Sequence, residues 1–352
     1  MTVTIVVGGQ FGSEGKGKVV ALIARSKPIG CVVRCGGPNS GHTTSIDGQD
    51  VVLRQLPASI GVNDCPVAIA AGAVIDEDVL IEELTRFGIH RERVIVDPRA
   101  VVVTAADKEK ERELVDRIGS TGSGNGQAIV NRINRIPGCL AQDSVRLKEF
   151  ACVESVAPYL HSLIKKRERV LVEGTQGFGL SLFHSSHYPK VTSKDTTASA
   201  FASEAGIAPL DVDEVVMVIR TFPIRVAGDS GELSNETTWE KIQELSGAPA
   251  CEKEFTSVTK NERRVGVFDI ELIRKAIGYN KPTSLAVMGI DRLDYSNRGI
   301  SDVAECSDKA IDLLSLLTSE LKIPISWVGT GFGTFDAVSM DEAYIGGAIN
   351  AR

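Results

Sequence analysis

Short apolar runs rich in β-branched residues alternate with amphipathic stretches along most of the chain. The runs predict strands at Thr2–Val7, Cys31–Arg34, Val67–Ala70, Arg93–Val96, Val170–Val172, Glu214–Arg220, Ser284–Met288 and Ile323–Val328. The amphipathic stretches predict helices at Gly15–Ser26, Asp76–Phe87, Ala105–Ile118, Val153–Lys166, Thr238–Leu245, Ile270–Ile277 and Asp308–Leu321. Because this alternation is typical of parallel sheets covered by helices, the chain is predicted to be an α/β protein with a large, mostly parallel central sheet flanked by helices.

Length and composition limit the number of domains and the kinds of partner that the chain can have. Length alone suggests about two domains, but α/β folds often run longer as one unit. The chain has no low-complexity linker and no repeat, and we expect a single domain over residues 1–352, with inserted helical and loop segments. A formal net charge of -7 and an aromatic content of 5% argue against a nucleic-acid partner. No apolar run reaches the roughly 18 residues that span a membrane, Met1 leads directly into a strand, and the cysteines are scattered. We therefore expect no membrane partner and a cytoplasmic protein with reduced thiols.

The stretch QFGSEGKGK, from Gln10 to Lys18, follows the first predicted strand and opens the first predicted helix. It departs from the P-loop pattern GxxxxGK[ST]. Free N–H groups at a helix N-terminus nevertheless favour phosphate, and Lys16 and Lys18 add full charges. The alternative is a tight strand-to-helix turn whose lysines lie in solvent.

A second glycine-rich stretch, CGGPNSGHT, runs from Cys35 to Thr43. Its glycines let the backbone approach a ligand closely, and Asn39 offers both a donor and an acceptor. His42 can act as an acid or as a hydrogen-bond donor near neutral pH. A lone histidine is more often structural, and in this context the structural and functional interpretations are about equally favoured.

Further loops carry candidate binding residues. They are GSTGSGNGQ (119–127, with Thr121), VEGTQGFG (172–179, with Gln176), YPKVTSKDTTAS (188–199, with Thr192), TKNERRVG (259–266), VMGIDRLD (287–294, with Asp291) and the glycine-rich segment 329–333. The first of these is a candidate for cradling an anion and is followed by Arg132 and Arg135. In the third, Asp195 is a candidate cap for the next helix. For most of these, taken alone, a plain structural turn is about as well supported as a binding role. The charged run DKEKERE (107–113) is interpreted as a solvated helix face, and the His184/His187 pair as a loop feature without metal.

In this order, over residues 3 to 336, the motifs resemble those of the adenylosuccinate synthetase family. QFGSEGKGK is similar to the family's QWGDEGKGK, GGPNSGHT to GG-x-N-[AS]-GHT, and GSTGSGNG to TTGRGIGP. EGTQG is similar to EGAQG, YPKVTS to YPYVTS, and IDRLD to the end of TKLDVLD. The resemblance implies a P-loop-related nucleotide-binding fold and a Mg²⁺-dependent ligase that joins aspartate to C6 of a purine nucleotide. A base removes the N1 proton while O6 attacks the γ-phosphorus, and aspartate then displaces the phosphate.

The resemblance also implies roles for individual residues. Ser13 and His42 stand at the catalytic positions, and Ser13 and Gly41 at those of the Mg²⁺ ligands. The implied donor-binding residues are Ser13, Glu14, Gly15, Lys16, Gly17, Lys18, Gly41, His42, Thr43, Asp291 and Gly331. The implied residues that bind the acceptor purine nucleotide are Ser13, Asn39, Thr121, Arg135, Gln176, Thr192 and Asn261. The resemblance also implies a homodimer, in which Arg135 is supplied by the partner subunit. The implied aspartate-binding residues are Thr259 and Arg263.

Three departures from the family pattern indicate a changed substrate. Ser13 replaces the family's catalytic aspartate, Asn261 replaces its first loop arginine, and Gly289 replaces its TKLD lysine. A shorter, neutral Ser13 leaves room for a purine 2-amino group, Asn261 suits a deoxyribose, and Gly289 suits a donor other than GTP. The pattern therefore resembles the phage-type branch, which uses dGMP, L-aspartate and ATP. Two alternatives are ordinary adenylosuccinate synthesis from IMP and GTP, and a non-catalytic nucleotide-binding regulator.

Overall fold

The computed structural model describes residues 2–256 and 260–340. The strands are β1 (Val3–Gly8), β2 (Cys31–Arg34), β3 (His42–Ile46), β4 (Gln49–Leu53), β5 (Val67–Ile69), β6 (Val74–Ile75), β7 (Val94–Val96), β8 (Val101–Val102), β9 (Cys152–Val153), β10 (Val170–Glu173), β11 (Glu214–Arg220), β12 (Ile224–Arg225), β13 (Glu236–Thr237), β14 (Arg264–Gly266), β15 (Ser284–Met288), β16 (Ile325–Gly329) and β17 (Ala337–Ser339). The helices are α1 (Lys16–Ser26), α2 (Glu77–Arg86), α3 (Ala105–Lys110), α4 (Arg112–Ile118), α5 (Asn125–Ile133), α6 (Val145–Phe150), α7 (Val156–Lys165), α8 (Ala198–Ala205), α9 (Trp239–Ser246), α10 (Ile270–Asn280) and α11 (Asp308–Leu321).

A ten-stranded sheet forms the centre of the fold, in the order β17-β16-β15-β11-β1-β10-β2-β5-β7-β9. Neighbouring strands are parallel throughout except for the β16–β17 pair. The side chains of β1 are fully or almost fully buried, because helices cover both faces of a sheet of this kind. The predicted fold class is confirmed. No helix within the described ranges is long and apolar enough to cross a membrane.

The topology brings the glycine-rich loops together. Strand β1 pairs with β10 on one side and with β11 on the other. The chain leaves β1, β2, β10, β11, β15 and β16 at one edge of the sheet, because these strands run parallel. Ligands bind outside this carboxyl edge in open α/β sheets, where the strand order changes direction. The motifs that lie far apart in the sequence therefore meet at one place.

The predicted elements agree with the structure along the sheet and differ in its insertions. The predicted helix over 105–118 is divided into α3 and α4 at Glu111, whose side chain is buried. The predicted helix over 153–166 begins only at Val156, since Val153 belongs to β9. Short strands such as β6, β8 and β12 were not predicted, because two-residue pairings leave no periodic signal.

The charged run 107–113 is not simply a solvated face, so that interpretation was wrong in part. Asp107 is buried and accepts hydrogen bonds from the Thr104 backbone and hydroxyl, 2.8 Å each. Glu111 is also buried and holds the loop that precedes α5. Both carboxylates fix local structure instead of facing water.

Candidate active site

The first glycine loop turns from β1 into α1 through backbone conformations that favour glycine. Gly15 stands at the N-cap of α1 with φ 104°. A Cβ atom at Gly17 would lie 2.7 Å from the Cβ of His42, so only glycine lets α1 approach the His42 strand this closely. Ser13 also adopts a left-handed conformation, with φ 57°, and presents an exposed side chain.

A buried ion pair holds the shape of this loop. The Glu14 carboxylate accepts hydrogen bonds from the backbone N–H groups of Gln10 at 3.1 Å and Gly12 at 2.8 Å. Lys16 Nζ lies 2.5 Å from Glu14 Oε2, and both side chains are almost fully buried. Glu14 and Lys16 were predicted to bind the donor. Both line the second cavity described below, and the Glu14 carboxylate also organises the loop itself.

Lys18 links the first loop to the loop after β16. Its Nζ donates to the carbonyl oxygens of Gly331 at 2.9 Å and Asp336 at 2.6 Å. Burial lowers the pKa of Lys18 to about 8, although the neighbouring carboxylates of Asp336 and Asp291 oppose the shift. Lys18 was predicted to contact donor phosphates, and in this structure its amine holds the chain on both sides of Phe332.

A buried cluster of charges fixes the orientation of His42. The Glu173 carboxylate at the end of β10 accepts hydrogen bonds from His42 Nδ1 and Arg34 NH1, and its other oxygen accepts from the Ala58 N–H at 2.8 Å. Arg34 NH1 also lies 2.6 Å from Nδ1. An ionised carboxylate can only accept, so we assign the ring proton to Nδ1, facing Glu173, which leaves the other ring nitrogen, Nε2, for a ligand in the adjoining cavities. Burial and then Arg34 lower the pKa of His42 to about 4, against the opposing effect of Glu173, so the imidazole is neutral near pH 7.

Glu173 itself stays ionised in this cluster. Burial alone would raise its pKa, but Arg34 and His42 hold the pKa below its usual value. A fully buried carboxylate bound by an arginine, an imidazole and a backbone amide is rigid. The arrangement therefore supplies a preorganised imidazole instead of a freely titrating one.

Ser13 is held by a second cluster. Arg263 NH1 donates to Ser13 Oγ, and Arg220 NH1 donates to the Ser13 carbonyl oxygen at 3.2 Å. Arg220 forms a bidentate pair with Glu254, with N–O distances of 3.1 and 2.5 Å. Burial lowers the pKa of Arg263, whereas the Glu254 charge outweighs burial and raises the pKa of Arg220. A neutral hydroxyl that accepts from a guanidinium is a poor proton acceptor, so the Ser13 side chain in this arrangement is unsuited to act alone as a general base.

Two cavities meet at Ser13 and His42. The first cavity, of about 380 Å³, lies between the first loop and the chain around Arg225. The residues lining it that were predicted to belong to the site are Ser13, Lys16, Asn39, Gly41, His42, Thr121, Gln176, Asn261 and Arg263. The second cavity, of about 410 Å³, reaches toward β15 and β16. The residues lining it that were predicted to belong to the site are Ser13, Glu14, Gly15, Lys16, Gly17, Lys18, Gly41, His42, Thr43, Arg263, Asp291 and Gly331. A third cavity, of about 310 Å³, adjoins the first and adds Thr192. The predicted acceptor and donor residues therefore separate into adjacent spaces.

Two predicted residues are not brought into these cavities. Arg135 lies on the surface after α5, where its NH1 donates to the Ile133 carbonyl oxygen at 3.1 Å. It borders a different cavity together with Arg132 and Lys194. Thr259 lies outside the described residues.

The loop before α5 does not offer free amides to an anion. The N–H groups of Gly124, Gly126 and Gln127 all donate to the Glu111 carboxylate, so the anion-cradle interpretation was wrong for these groups. The capping prediction for Asp195 was also inexact. Thr197 is the N-cap of α8, and Asp195 accepts from the Thr197 hydroxyl at 2.5 Å. The His184 ring packs against the Tyr279 ring, with 4.5 Å between their centroids and 35° between their planes.

Sequence reasoning missed the charged residues behind the site. Arg34, Glu173 and Arg220 each end a buried strand, and Glu254 pairs with Arg220. The missed signal was a charged residue at the last position of a strand predicted to be buried, because such a charge requires a partner. Pattern reasoning treated these residues as strand ends only.

The residues predicted to hold Mg²⁺ offer neutral oxygen atoms. They are the Ser13 hydroxyl and the Gly41 carbonyl, which both border the first and second cavities. Within 2–256 and 260–340, no group of three or more His, Cys, Asp or Glu residues is arranged to hold a metal. Mg²⁺ commonly takes few protein ligands and completes its shell with water and substrate phosphates, so this donor set fits a phosphate-bound Mg²⁺.

The chain is similar to known proteins over nearly all of its length. The family model described as adenylosuccinate synthetase matches residues 5–152 and 144–298. The adenylosuccinate synthetase of Methanocaldococcus jannaschii is 39% identical over 338 residues, covering 94% of each chain, and that of Archaeoglobus fulgidus is 37% identical, covering 94% of this chain and 96% of the relative.

Two solved structures have the same fold. The cyanophage S-2L succinoaminodeoxyadenylate synthetase, bound to dGMP and to dATP as an energy donor, superposes with a TM-score of 0.79 at 27% identity, covering 99% of each chain. The fully ligated adenylosuccinate synthetase of Plasmodium falciparum superposes with a TM-score of 0.85 at 19% identity, covering 97% of this chain and 100% of that one.

Proposed function

The chain belongs to the adenylosuccinate synthetase family of C–N ligases, and we propose that it joins L-aspartate to C6 of dGMP with ATP as the phosphoryl donor. The product is N6-succino-2-amino-2′-deoxyadenylate, a precursor of 2-aminoadenine DNA. This is the activity of the phage-type branch of the family.

The observation that carries the proposal is Ser13 at the meeting point of the two cavities. The family motif has an aspartate there, which would lie beside purine N1 and any 2-amino group. Serine is shorter and neutral, and its hydroxyl can accept a hydrogen bond from the 2-amino group. An aspartate could also pair with both N–H groups of guanine, so the preference rests on size and on avoiding overly tight ground-state pairing.

The reaction proceeds in two steps that balance. The N1 proton of dGMP leaves to solvent through Ser13 and water as O6 attacks the γ-phosphorus of ATP, and ADP departs. The aspartate amine then attacks C6, expels phosphate and loses a proton. His42 stabilises the charge on O6 and on the transferring phosphoryl group, and Glu173 keeps its ring in position.

The protein residues bind and orient the reactants in this proposal. Gly15, Lys16 and Gly17 contact the donor phosphates at the start of α1, where backbone N–H groups favour anions. Asn39, Thr121, Gln176 and Thr192 orient dGMP, and Thr259 and Arg263 bind the aspartate carboxylates. Mg²⁺, held through Ser13, Gly41 and the substrate phosphates, would neutralise phosphate charge during transfer.

The choice of sugar and donor rests on two further departures from the family. Asn261 is exposed in the first cavity, where the family has an arginine near the ribose 2′-hydroxyl, so a deoxyribose is preferred. Gly289 replaces the lysine that would flank a guanine base in the second cavity. The cyanophage structure, which holds dGMP and an adenine donor, supports both assignments.

We also propose that the chain works as a homodimer in which Arg135 binds the 5′-phosphate in the neighbouring subunit. Arg135 is exposed, and the apolar side chains of Ile133 and Ile136 beside it are 64% and 48% exposed. Analytical ultracentrifugation tests the dimer. Mixing inactive Arg135→Ala with an inactive variant of another site residue should restore part of the activity if Arg135 acts across the interface.

The experiment that tests the substrate is phosphate release with aspartate and Mg²⁺, crossing dGMP, GMP and IMP with ATP and GTP. The proposal expects turnover largely confined to dGMP, with ATP preferred, and a product mass equal to that of the succino adduct. The curated relatives favour a second candidate, ordinary adenylosuccinate synthesis from IMP and GTP. Turnover with IMP and GTP, and none with dGMP, would establish that candidate instead. Nucleotide binding without phosphate release would favour the regulator.

A further inference from the structure

The segment 119–123, here called the Thr121 loop, joins α4 to α5 and forms a wall between two cavities. Gly119, Ser120 and Thr121 line both the first and the third cavity. At the start of the loop, the Gly119 N–H donates to the Val115 carbonyl oxygen at 3.1 Å, which fixes that end to α4. Where Thr121 lies relative to the cavities therefore depends on what holds the other end.

Glu111 holds the other end of the Thr121 loop. Its Oε2 accepts a hydrogen bond from the Gly124 N–H at 2.7 Å. Its Oε1 accepts from the N–H groups of Gly126 and Gln127, the latter at 3.1 Å. The residue is 5% exposed, so water competes little for these bonds. One buried carboxylate thus fixes three consecutive or nearly consecutive amides directly after the loop.

Helix α5 depends on Glu111 for its N-terminal hydrogen bonds. Its N-cap residue is Gly124, with φ 74° and no side-chain cap. The first N–H groups of a helix have no partner within the helix, and their partial positive charge favours a carboxylate beside them. Glu111 lies thirteen residues before Gly124, between α3 and α4, and supplies from there what an N-cap side chain usually supplies.

The rest of α5 is tied to both sides of the third cavity. Asn131 Nδ2 donates to Asp107 Oδ1 at 2.8 Å, which joins α5 to α3. Asn125 Nδ2 donates to Ser193 Oγ at 3.0 Å, in the chain that forms another part of the cavity wall. The Glu111 carboxylate therefore connects the Thr121 loop to a frame that is already fixed.

We propose that Glu111 is a positioning residue for the acceptor nucleotide, because its carboxylate holds the Thr121 loop in the conformation that binds the nucleotide. The inference rests on the proposed function, since it takes Thr121 as a contact of the acceptor. Without the carboxylate, three amides lose their partner and the loop adopts other conformations as well. The apparent affinity for the acceptor then falls in proportion to the fraction of molecules that keep the competent conformation.

The test is calorimetric titration of Glu111→Gln with dGMP, with IMP and with a Mg²⁺-bound non-hydrolysable ATP analogue. Glutamine keeps the size of the side chain, removes its charge and places an NH₂ group among N–H donors. The Kd for the nucleotide that the wild type binds should rise by about 10- to 100-fold, as expected for a lost hydrogen bond to a charged group. The Kd for the ATP analogue should not change, because Glu111 lines neither the first nor the second cavity.

Asp97→Asn is the matched control. Asp97 is fully buried and accepts hydrogen bonds from the N–H groups of Arg99 at 2.9 Å and Val156 at 3.0 Å. Val156 is the first residue of α7, so Asp97 holds the start of that helix as Glu111 holds the start of α5. Asp97 lines none of the cavities described here. Its variant should lower the thermal midpoint and leave the affinity for every nucleotide unchanged.

A double-mutant cycle with Thr121→Val separates positioning from a general loss of structure. Thr121→Val removes the hydroxyl that the loop presents to the acceptor. If Glu111 acts through this loop, Glu111→Gln should raise the Kd by a smaller factor in the Thr121→Val background than in the wild type. Equal factors in the two backgrounds would contradict the inference.

Hydrogen exchange of the wild type supplies a measurement that needs no variant. The N–H groups of Gly124, Gly126 and Gln127 should exchange slowly without any nucleotide, and those of the Thr121 loop should slow only when the nucleotide is bound. Fast exchange at the three amides would overturn the inference whether or not Glu111→Gln folds.

The outcomes separate the inference from the proposed function. Equal effects of Glu111→Gln and Asp97→Asn on nucleotide affinity would overturn the inference, as would a wild-type protein that binds neither dGMP nor IMP. A selective loss of nucleotide binding in Glu111→Gln would uphold it even where the wild type binds IMP and not dGMP. In that case the proposed acceptor alone would fail.

Discussion

Replacing Glu173 with glutamine keeps the size of the side chain and removes its charge. Glu173 is fully buried and contacts Arg34, His42 and the Ala58 N–H. The amide of glutamine carries one acceptor oxygen and one NH₂ group, so it cannot serve all three donors. We expect the variant to leave Arg34 as a buried charge without a carboxylate and to release the His42 ring.

The magnitude follows from the burial of the cluster. Removing one partner of a buried ion pair commonly costs about 3–5 kcal/mol, because the other charge stays buried. For a chain of 352 residues this corresponds to a fall in melting temperature of about 4–7 °C. Loss of a fixed imidazole tautomer beside the reacting phosphoryl group should lower kcat by about 10²- to 10⁴-fold, with a much smaller change in KM.

The assay combines thermal denaturation with phosphate release at saturating substrates. Glu83→Gln is the matched control, because Glu83 is also a buried carboxylate and accepts from the N–H groups of Arg54 at 2.6 Å and Leu56 at 2.9 Å. It lines none of the cavities described here, so the control should lose stability without the selective loss of kcat. A Glu173→Gln variant that is as unstable as Glu83→Gln but turns over at the wild-type rate would refute the argument.

Three other predictions test the site. The Ser13→Asp variant should fold normally, since aspartate tolerates the left-handed backbone at this position. Its kcat/KM for IMP relative to that for dGMP should rise by about 10²-fold or more. An unchanged ratio of these two values would contradict the role of Ser13. Asn261→Arg should raise the use of GMP relative to dGMP by about 10-fold, measured by competition. The unfolded chain binds the His42 proton near pH 6.5 and the folded chain only near 4, so the free energy of unfolding should fall by about 3 kcal/mol as the pH drops through that window. Denaturant titrations of the wild type and of His42→Asn at several pH values check this loss, which should be absent in the variant.

The sequence predicted the sheet well because the signal there is strong. Strands β2, β11 and β15 have the predicted bounds, since long β-branched runs between glycine-rich loops leave little ambiguity. The same runs gave the order of the loops along the chain. Parallel pairing then brings those loops to one edge, and for this reason residues from distant motifs share the first and second cavities.

What the sequence could not predict is how buried charges find their partners. The inward turn of Glu111 depends on the backbone amides of a loop thirteen to sixteen residues later, and nothing in the local pattern encodes that contact. The pairing of Arg220 with Glu254 likewise joins residues from different segments of the chain. Such contacts form only in the tertiary structure, and the periodicity of apolar and polar residues along the sequence does not predict them.

The three departures from the family motifs that indicate a changed substrate lie at the candidate active site. Ser13, Asn261 and Gly289 all border the first or second cavity. In the same site, the ion pairs of Glu14 with Lys16 and of Glu173 with Arg34 are complete and almost fully buried. Loss of selection would damage the costly buried pairs at least as readily as the exposed contact residues, because an unpartnered buried charge has no function to preserve it. Intact buried pairs beside altered lining residues are therefore what the proposed change of substrate predicts, with the chemistry of the family retained.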